Sequence, residues 1–212
     1  EYKQDIISNY YLDITKAKQA QGNLREFQKK DIELLKKFVS VCEKHKLTYW
    51  LDFGSLLGAV RHKGFIPWDD NIDVSMLEED FTKFQSLIKE EFDNNIDFII
   101  VEENKMARLT VTYDKQNPYL NVYSYKEEDP IRINCSMPFA NRFAYYPVRK
   151  DLIFPLQNIT FENVNVSCPF ETDAYLRVRY GNYMLFPTRN EQSYLGEYKK
   201  VNKYFDYYDD NI

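Results

Sequence analysis

The chain has 212 residues, 44% of them hydrophobic and 29% charged, with a formal net charge of −5. That apolar fraction supports a buried core and excludes a wholly disordered chain, while the acidic balance excludes a surface built throughout to hold polyanions. Any phosphate must therefore be met by a local cluster of cations.

Residues 1–23 are polar and tyrosine-spotted and read as an arm or short helix. From Leu24, apolar residues recur at steps of three and four through Leu34, Leu35, Phe38, Val39 and Cys42. This predicts an amphipathic helix ending near Lys44–Lys46, where cations suit the negative end of the helix dipole. Thr48–Phe53 reads as a short buried strand, broken by Gly54-Ser55, with Ser55 expected to cap a helix over Leu56–Arg61. Asn71–Ser75 alternates with period two, placing Asn71 and Asp73 on one face. A helix with the acidic first turn Glu78–Asp80 follows, running through Phe92. Asp97–Val101, Ala107–Tyr113 and Tyr119–Tyr125 are expected strands, the last two joined by a turn at Asn117-Pro118. A strand pair within Ile153–Phe161, a helix over Glu171–Arg179 stopped by Gly181, and an acidic, aromatic extension over residues 188–212 complete the chain. The order of elements predicts an α+β fold, a mixed sheet with helices on one side.

Other features are less informative. Cys42, Cys135 and Cys168 are too scattered to suggest a disulfide framework or zinc knuckle, and His45 and His62 are the only histidines. No apolar run approaches the ~18 residues of a membrane span, and Glu1–Gln4 does not resemble a signal peptide.

The chemistry concentrates in Asp52–Asp73. Gly54-Ser55, between strand and helix, is expected to present backbone N–H groups and a hydroxyl to a phosphate. Arg61, His62 and Lys63 follow within two helical turns as cations for phosphate oxygens. Asp69, Asp70, Asn71 and Asp73 then crowd together, an arrangement that a divalent cation would relieve. Phosphate cradle, cations and metal-binding acids in that order are what phosphoryl transfer requires.

The run from Trp50 to Val74, containing Asp-Phe-Gly-Ser and Arg-His-Lys-Gly-Phe-Ile-Pro-Trp-Asp-Asp, closely resembles the hallmark of the LicD family, which includes bacterial phosphorylcholine transferases and is related to fukutin and fukutin-related protein. Ile153-Phe-Pro-Leu, Ile159-Thr-Phe-Glu and Tyr175-Leu…Arg179-Tyr-Gly-Asn resemble its later segments, so a LicD-like phosphotransferase domain is expected over residues 24–187. The resemblance implies a nucleotidyltransferase-like mixed β-sheet flanked by helices. It also implies transfer of a phospho-alcohol, such as phosphocholine or ribitol phosphate, from a CDP-alcohol donor to a glycan acceptor with Mg²⁺ or Mn²⁺. By the same resemblance Gly54, Ser55, Arg61, His62 and Lys63 face the donor, Tyr180 and Gly181 shape the distal site, and Asp69, Asp70 and Asp73 form the acidic motif. The setting implied is cytoplasmic or inner-membrane-associated for a bacterium and the Golgi lumen for a eukaryote.

The chain departs from the family pattern in two places. Asn71 stands where the family has an aspartate, and on a later strand Asn121 stands at the expected carboxylate position, with Asn134 the next candidate. The metal set read from the sequence is therefore Asp73, Asn71, Asp69 and Asn121. Two amides for two carboxylates leave open a catalytically impaired domain that binds a nucleotide, glycan or protein. A nucleic-acid enzyme is disfavoured by the acidic charge. Tyr10, Tyr11, Tyr119, Tyr123, Tyr125, Tyr145 and Tyr146 are candidates for a cleft wall, where a quaternary ammonium or a sugar would stack.

Overall fold

The computed structural model describes residues 15, 17–101, 105–111, 119–136 and 147–184. The expected arm (apart from a few residues before Gly22), the turn at Asn117-Pro118, Tyr145, Tyr146 and the extension over 188–212 lie outside the described residues.

Helix α1, Gly22–His45, buries Leu24, Leu35, Phe38 and Cys42 along one stripe and closes on Lys46, whose φ of 55° turns its N–H back onto Cys42 and Glu43 carbonyls. A two-residue strand β1, Trp50–Leu51, leads into α2, Phe53–His62. Strand β2, Ile72–Leu77, and helix α3, Glu78–Glu91, follow. The next strands are β3, Ile96–Val101; β4, Met106–Val111; and β5, Tyr119–Asp129. Two strands that the sequence did not announce, β6 (Arg132–Cys135) and β7 (Val148–Arg149), extend the sheet beyond β5. They are too short for an alternating pattern and form because β5 is long enough to pair twice, with β4 along its first half and with β6 along its second.

The sheet runs β1-β2-β5-β4-β3, with β2 and β5 parallel and every other pairing antiparallel. It is thus the mixed sheet expected of an α+β chain. Helices α1 and α3 pack on the long central strand β5, while α2 and α3 pack on β2. Their apolar faces meet through aromatic edges, with Phe38 centred 5.1 Å from Tyr49 and 5.2 Å from Phe84, and Trp50 5.2 Å from Tyr125.

The expected strand pair within Ile153–Phe161 is corrected. Lys150–Ile153 is a helical turn, α4, and the hairpin is β8 (Gln157–Phe161) with β9 (Val164–Cys168). Glu162 at its turn, with a φ of 55°, accepts both Nη groups of Arg25 at 2.9 Å and donates its N–H to the Lys63 carbonyl at 2.7 Å. The hairpin therefore joins α1 to the end of α2. Helix α5, Thr172–Tyr180, closes at Gly181. Gly58 sits where α2 meets the turn after it: a Cβ there would stand 2.3 Å from the Gly64 carbonyl oxygen, so only hydrogen fits.

Candidate active site

Helix α2 begins three residues earlier than the sequence suggested, because Asp52 and not Ser55 is its cap. Asp52 is 1% exposed. Its Oδ1 accepts from the Phe53 N–H at 2.8 Å and the Tyr175 hydroxyl at 2.7 Å, and its Oδ2 from Ser75 at 2.7 Å and Tyr125 at 2.9 Å. Arg179 donates to the Tyr125 hydroxyl at 3.2 Å and lies 5.4 Å from the Tyr175 ring centre. Burial, reinforced by the Asp52 charge, raises both tyrosines above the ordinary phenol range, so they stay protonated donors. One buried carboxylate thus fastens α2, β2, β5 and α5 together. With every oxygen engaged and no exposure, Asp52 cannot reach a substrate hydroxyl.

Ser55 lies inside α2 and is buried, and its hydroxyl accepts the Asp73 N–H at 2.8 Å. The expectation of a hydroxyl open to solvent is thereby corrected: Ser55 sets the height of Asp73 against α2. Gly54 serves close approach. A Cβ there would lie 2.8 Å from Asp69 Oδ2, so the missing side chain lets the buried Asp69 carboxylate rest over the first turn of α2, where the free N–H end of a helix favours negative charge. Gln28 of α1 holds the Asp69 carbonyl from the other side at 2.9 Å.

Strand pairing brings the acidic motif and the later strand together. Asp73 of β2 stands directly opposite Asn121 of β5. Asp73 Oδ1 accepts from the amides of Asn71 and Asn121, each at 2.9 Å. Asn121 Oδ1 in turn accepts from Arg108 Nε at 2.9 Å, and that guanidinium lies 4.1 Å from the Tyr119 ring centre. The next candidate, Asn134, sits on β6 and donates to Glu128 at 3.3 Å, away from this group.

Whether this set fits Mg²⁺ or Mn²⁺ depends on where the charge lies. Among the described residues no group of three or more His, Cys, Asp or Glu side chains is arranged to hold a metal ion. A preformed, protein-only centre is therefore not what these residues build. Mg²⁺ commonly binds through one or two carboxylates plus substrate phosphates, and for that mode the donor types fit, with Asp73 and Asp70 both partly exposed.

The basic trio divides. Arg61 is 7% exposed and donates from Nε, at 2.6 Å, and from Nη2 to the Tyr183 carbonyl just beyond α5. Lys63 is exposed at the left-handed end of α2. Burial, and then the Arg61 charge, pushes His62 down to about 4. Neutral His62 is favoured in the folded state, so stability is complete above about pH 6.5 and declines as pH falls towards 4, by roughly 2–3 kcal/mol at pH 4.5. Urea unfolding of His62→Gln should accordingly vary less between pH 7 and 4.5 than that of the parent, and equal slopes would contradict the assignment. Tyr180 lies close enough that the charges of Asp52 and Asp73, after burial, raise its hydroxyl. Gly181 follows as the helix cap.

Of the tyrosines expected along a cleft, Tyr125 is fully buried and Tyr123 packs its ring 4.8 Å from Phe53. Tyr119, against Arg108, is partly exposed. Sequence reasoning missed Gln28, Asp31, Arg108, Tyr175 and Arg179. A signal existed for the first two, since both are polar residues on the apolar stripe of α1.

The sequence model of the LicD/FKTN/FKRP nucleotidyltransferase domain matches residues 46–171, more than half of the chain. The Haemophilus influenzae lipopolysaccharide cholinephosphotransferase LicD is 49% identical over 61 residues, 29% of this chain and 23% of that protein. An uncharacterized Rickettsia typhi protein is 27% identical over 155 residues, 70% of this chain and 44% of its own. Human ribitol 5-phosphate transferase FKRP is 45% identical over 49 residues, 23% of this chain and 10% of that protein. The chain thus spans less than half the length of each of these three relatives. No helix among the described residues is long and apolar enough to cross a membrane. With the family's domain matched across α2, β2, β5 and the β8–β9 hairpin, the chain belongs to the LicD/FKTN/FKRP nucleotidyltransferase-domain family.

Proposed function

We propose that this domain transfers a phospho-alcohol from a CDP-activated donor to a glycan hydroxyl. The observation that carries this reading is the pairing of Asp73 with position 121 across parallel strands, at the edge where α2 begins. In the proposed reaction the hydroxyl oxygen attacks the phosphorus next to the alcohol, a new P–O bond forms in line, and the bond to CMP breaks. The hydroxyl proton passes to one of the partly exposed carboxylates, Asp70 or Asp73, and CMP leaves with the bond electrons. Lys63 meets the diphosphate, while Arg61, held by Tyr183, fixes the distal wall near Tyr180. A divalent ion brought by the diphosphate would supply charge neutralisation on the phosphate oxygens.

Incubation with CDP-choline, CDP-ribitol or CDP-glycerol and Mg²⁺ or Mn²⁺ should release CMP, followed by ³¹P NMR. No release from any donor by folded protein would argue against turnover. Gly54→Ala should cost less than about 1 kcal/mol in stability, because a flexible carboxylate can yield, yet it should reduce CMP release at least tenfold by displacing Asp69. Unchanged release would remove Gly54 from the site.

The second reading, a domain that binds without turnover, draws on the two amides donating to Asp73 Oδ1. They satisfy the carboxylate as neutral donors, where the family pattern would add negative charge.

A further inference from the structure

Asp73, Asn121 and Arg108 stand abreast on three neighbouring strands, because Asn121 of β5 is in register with Asp73 of β2 on one side and with Arg108 of β4 on the other. Residues in register share a face of the sheet, so Arg108 stands on the face that carries Asp73. Its side chain leans towards that carboxylate. Arg108 Nε donates to Asn121 Oδ1 at 2.9 Å, the same amide donates to Asp73 at 2.9 Å, and the Tyr119 ring supports the guanidinium at 4.1 Å. Among the described residues, the other arginines that are at least partly exposed, Arg25, Arg132, Arg149 and Arg177, each hold a carboxylate. Arg108, also partly exposed, holds a neutral amide instead.

The residue at 121 decides what that charge can do. An aspartate there, as in the family pattern, would close an ion pair with Arg108 and neutralise it. Asparagine holds the arm through Oδ1 and leaves the guanidinium its full charge. With Nε engaged and one face resting on an aromatic ring, the two Nη groups are the end left to present, and their spacing suits two oxygens of a phosphate. Little side-chain freedom remains to be lost when an anion arrives.

We propose that Arg108 binds a phosphate group of the ligand beside Asp73, its Nη groups donating to two phosphate oxygens while Asn121 and Tyr119 hold the arm. Adjacent strands lie about 4.8 Å apart, so the Cα atoms of Arg108 and Asp73 are separated by about 10 Å, a gap that a long arginine arm and a diphosphate span together. The assignment rests on the diphosphate site proposed above and requires no turnover. It also gives Asn121 a role: the position gives up a negative charge towards a metal and frees a positive one for phosphate.

The test is calorimetric titration of CDP, and of ADP, which shares the diphosphate but not the base, into the whole chain with Mn²⁺. The proteins compared are the parent, Arg108→Gln and Arg108→Lys, each also followed by thermal unfolding. Arg108→Gln should bind the nucleotides at least tenfold more weakly while unfolding cooperatively close to the parent's temperature. Arg108→Lys, which keeps the charge without the fork, should recover part of that loss, and serves if Arg108→Gln does not fold. Equal nucleotide affinity in parent and Arg108→Gln would overturn the phosphate contact and leave the diphosphate site at Asp73 standing. Binding of ADP but not CDP, weakened in Arg108→Gln, would keep the contact and reject the cytidine donor. Binding of neither nucleotide by the folded parent would overturn both.

Discussion

Asp52→Ala should destabilise the domain by about 3–5 kcal/mol, the cost of removing a buried charge from partners that stay behind. The Tyr125, Tyr175 and Ser75 hydroxyls and the Phe53 N–H all lose their acceptor at once. Arg179, 3% exposed, loses the nearby negative charge that offsets its own burial. Asp52→Asn should cost less. One amide oxygen still accepts, and hydroxyl groups can rotate to receive the new N–H, leaving mainly the imbalance at Arg179. Urea denaturation with a constant m-value measures both. A loss below about 1 kcal/mol for Asp52→Ala would show that the network is not what fastens α5 to α2.

The second large effect concerns the amides. Asn71→Asp and Asn121→Asp together should raise Mn²⁺ affinity at least a hundredfold, tenfold or more for each. A unit charge ~4 Å from another at an effective dielectric of ~20 interacts by about 4 kcal/mol, and a divalent ion doubles that before desolvation is subtracted. Asn121→Asp also keeps its partner, because Arg108 already donates to the oxygen at that position. Without metal the same double variant should lose stability, since two amide donors to Asp73 become two like charges. Calorimetric titration with Mn²⁺, beside thermal unfolding in chelator, reads both signs. Unaltered Mn²⁺ affinity would mean that positions 71 and 121 do not face an ion.

Much of the fold could be read from local pattern. The stripe of α1, the acidic first turn of α3 and the alternation at Ile72 and Val74 are signals that chemistry imposes within one element. Position 121 was legible as well, because the later strand carries the family's spacing; its pairing with Asp73 is a matter of sheet register. What stayed hidden was set by contacts distant in sequence. Strands β6 and β7 exist because β5 offers a second stretch of edge, and no residue within Arg132–Cys135 announces that. Ser55 looked like a helix cap because Gly-Ser after a strand commonly is one, yet Asp52, with four donors from separate elements, takes that place. Arg61 looked like a cation for phosphate; its carbonyl partner lies 122 residues away. Asp31 is one polar residue in a helical pattern, and only the folded structure shows it fully buried.

The most direct measurement is calorimetric titration of CDP into the protein, with Mn²⁺ and with chelator, for the parent and Asp73→Asn. Binding that requires Mn²⁺ and falls at least tenfold in Asp73→Asn is the expected result. CDP bound equally with or without the ion, or equally by Asp73→Asn, would contradict a diphosphate site built on Asp73.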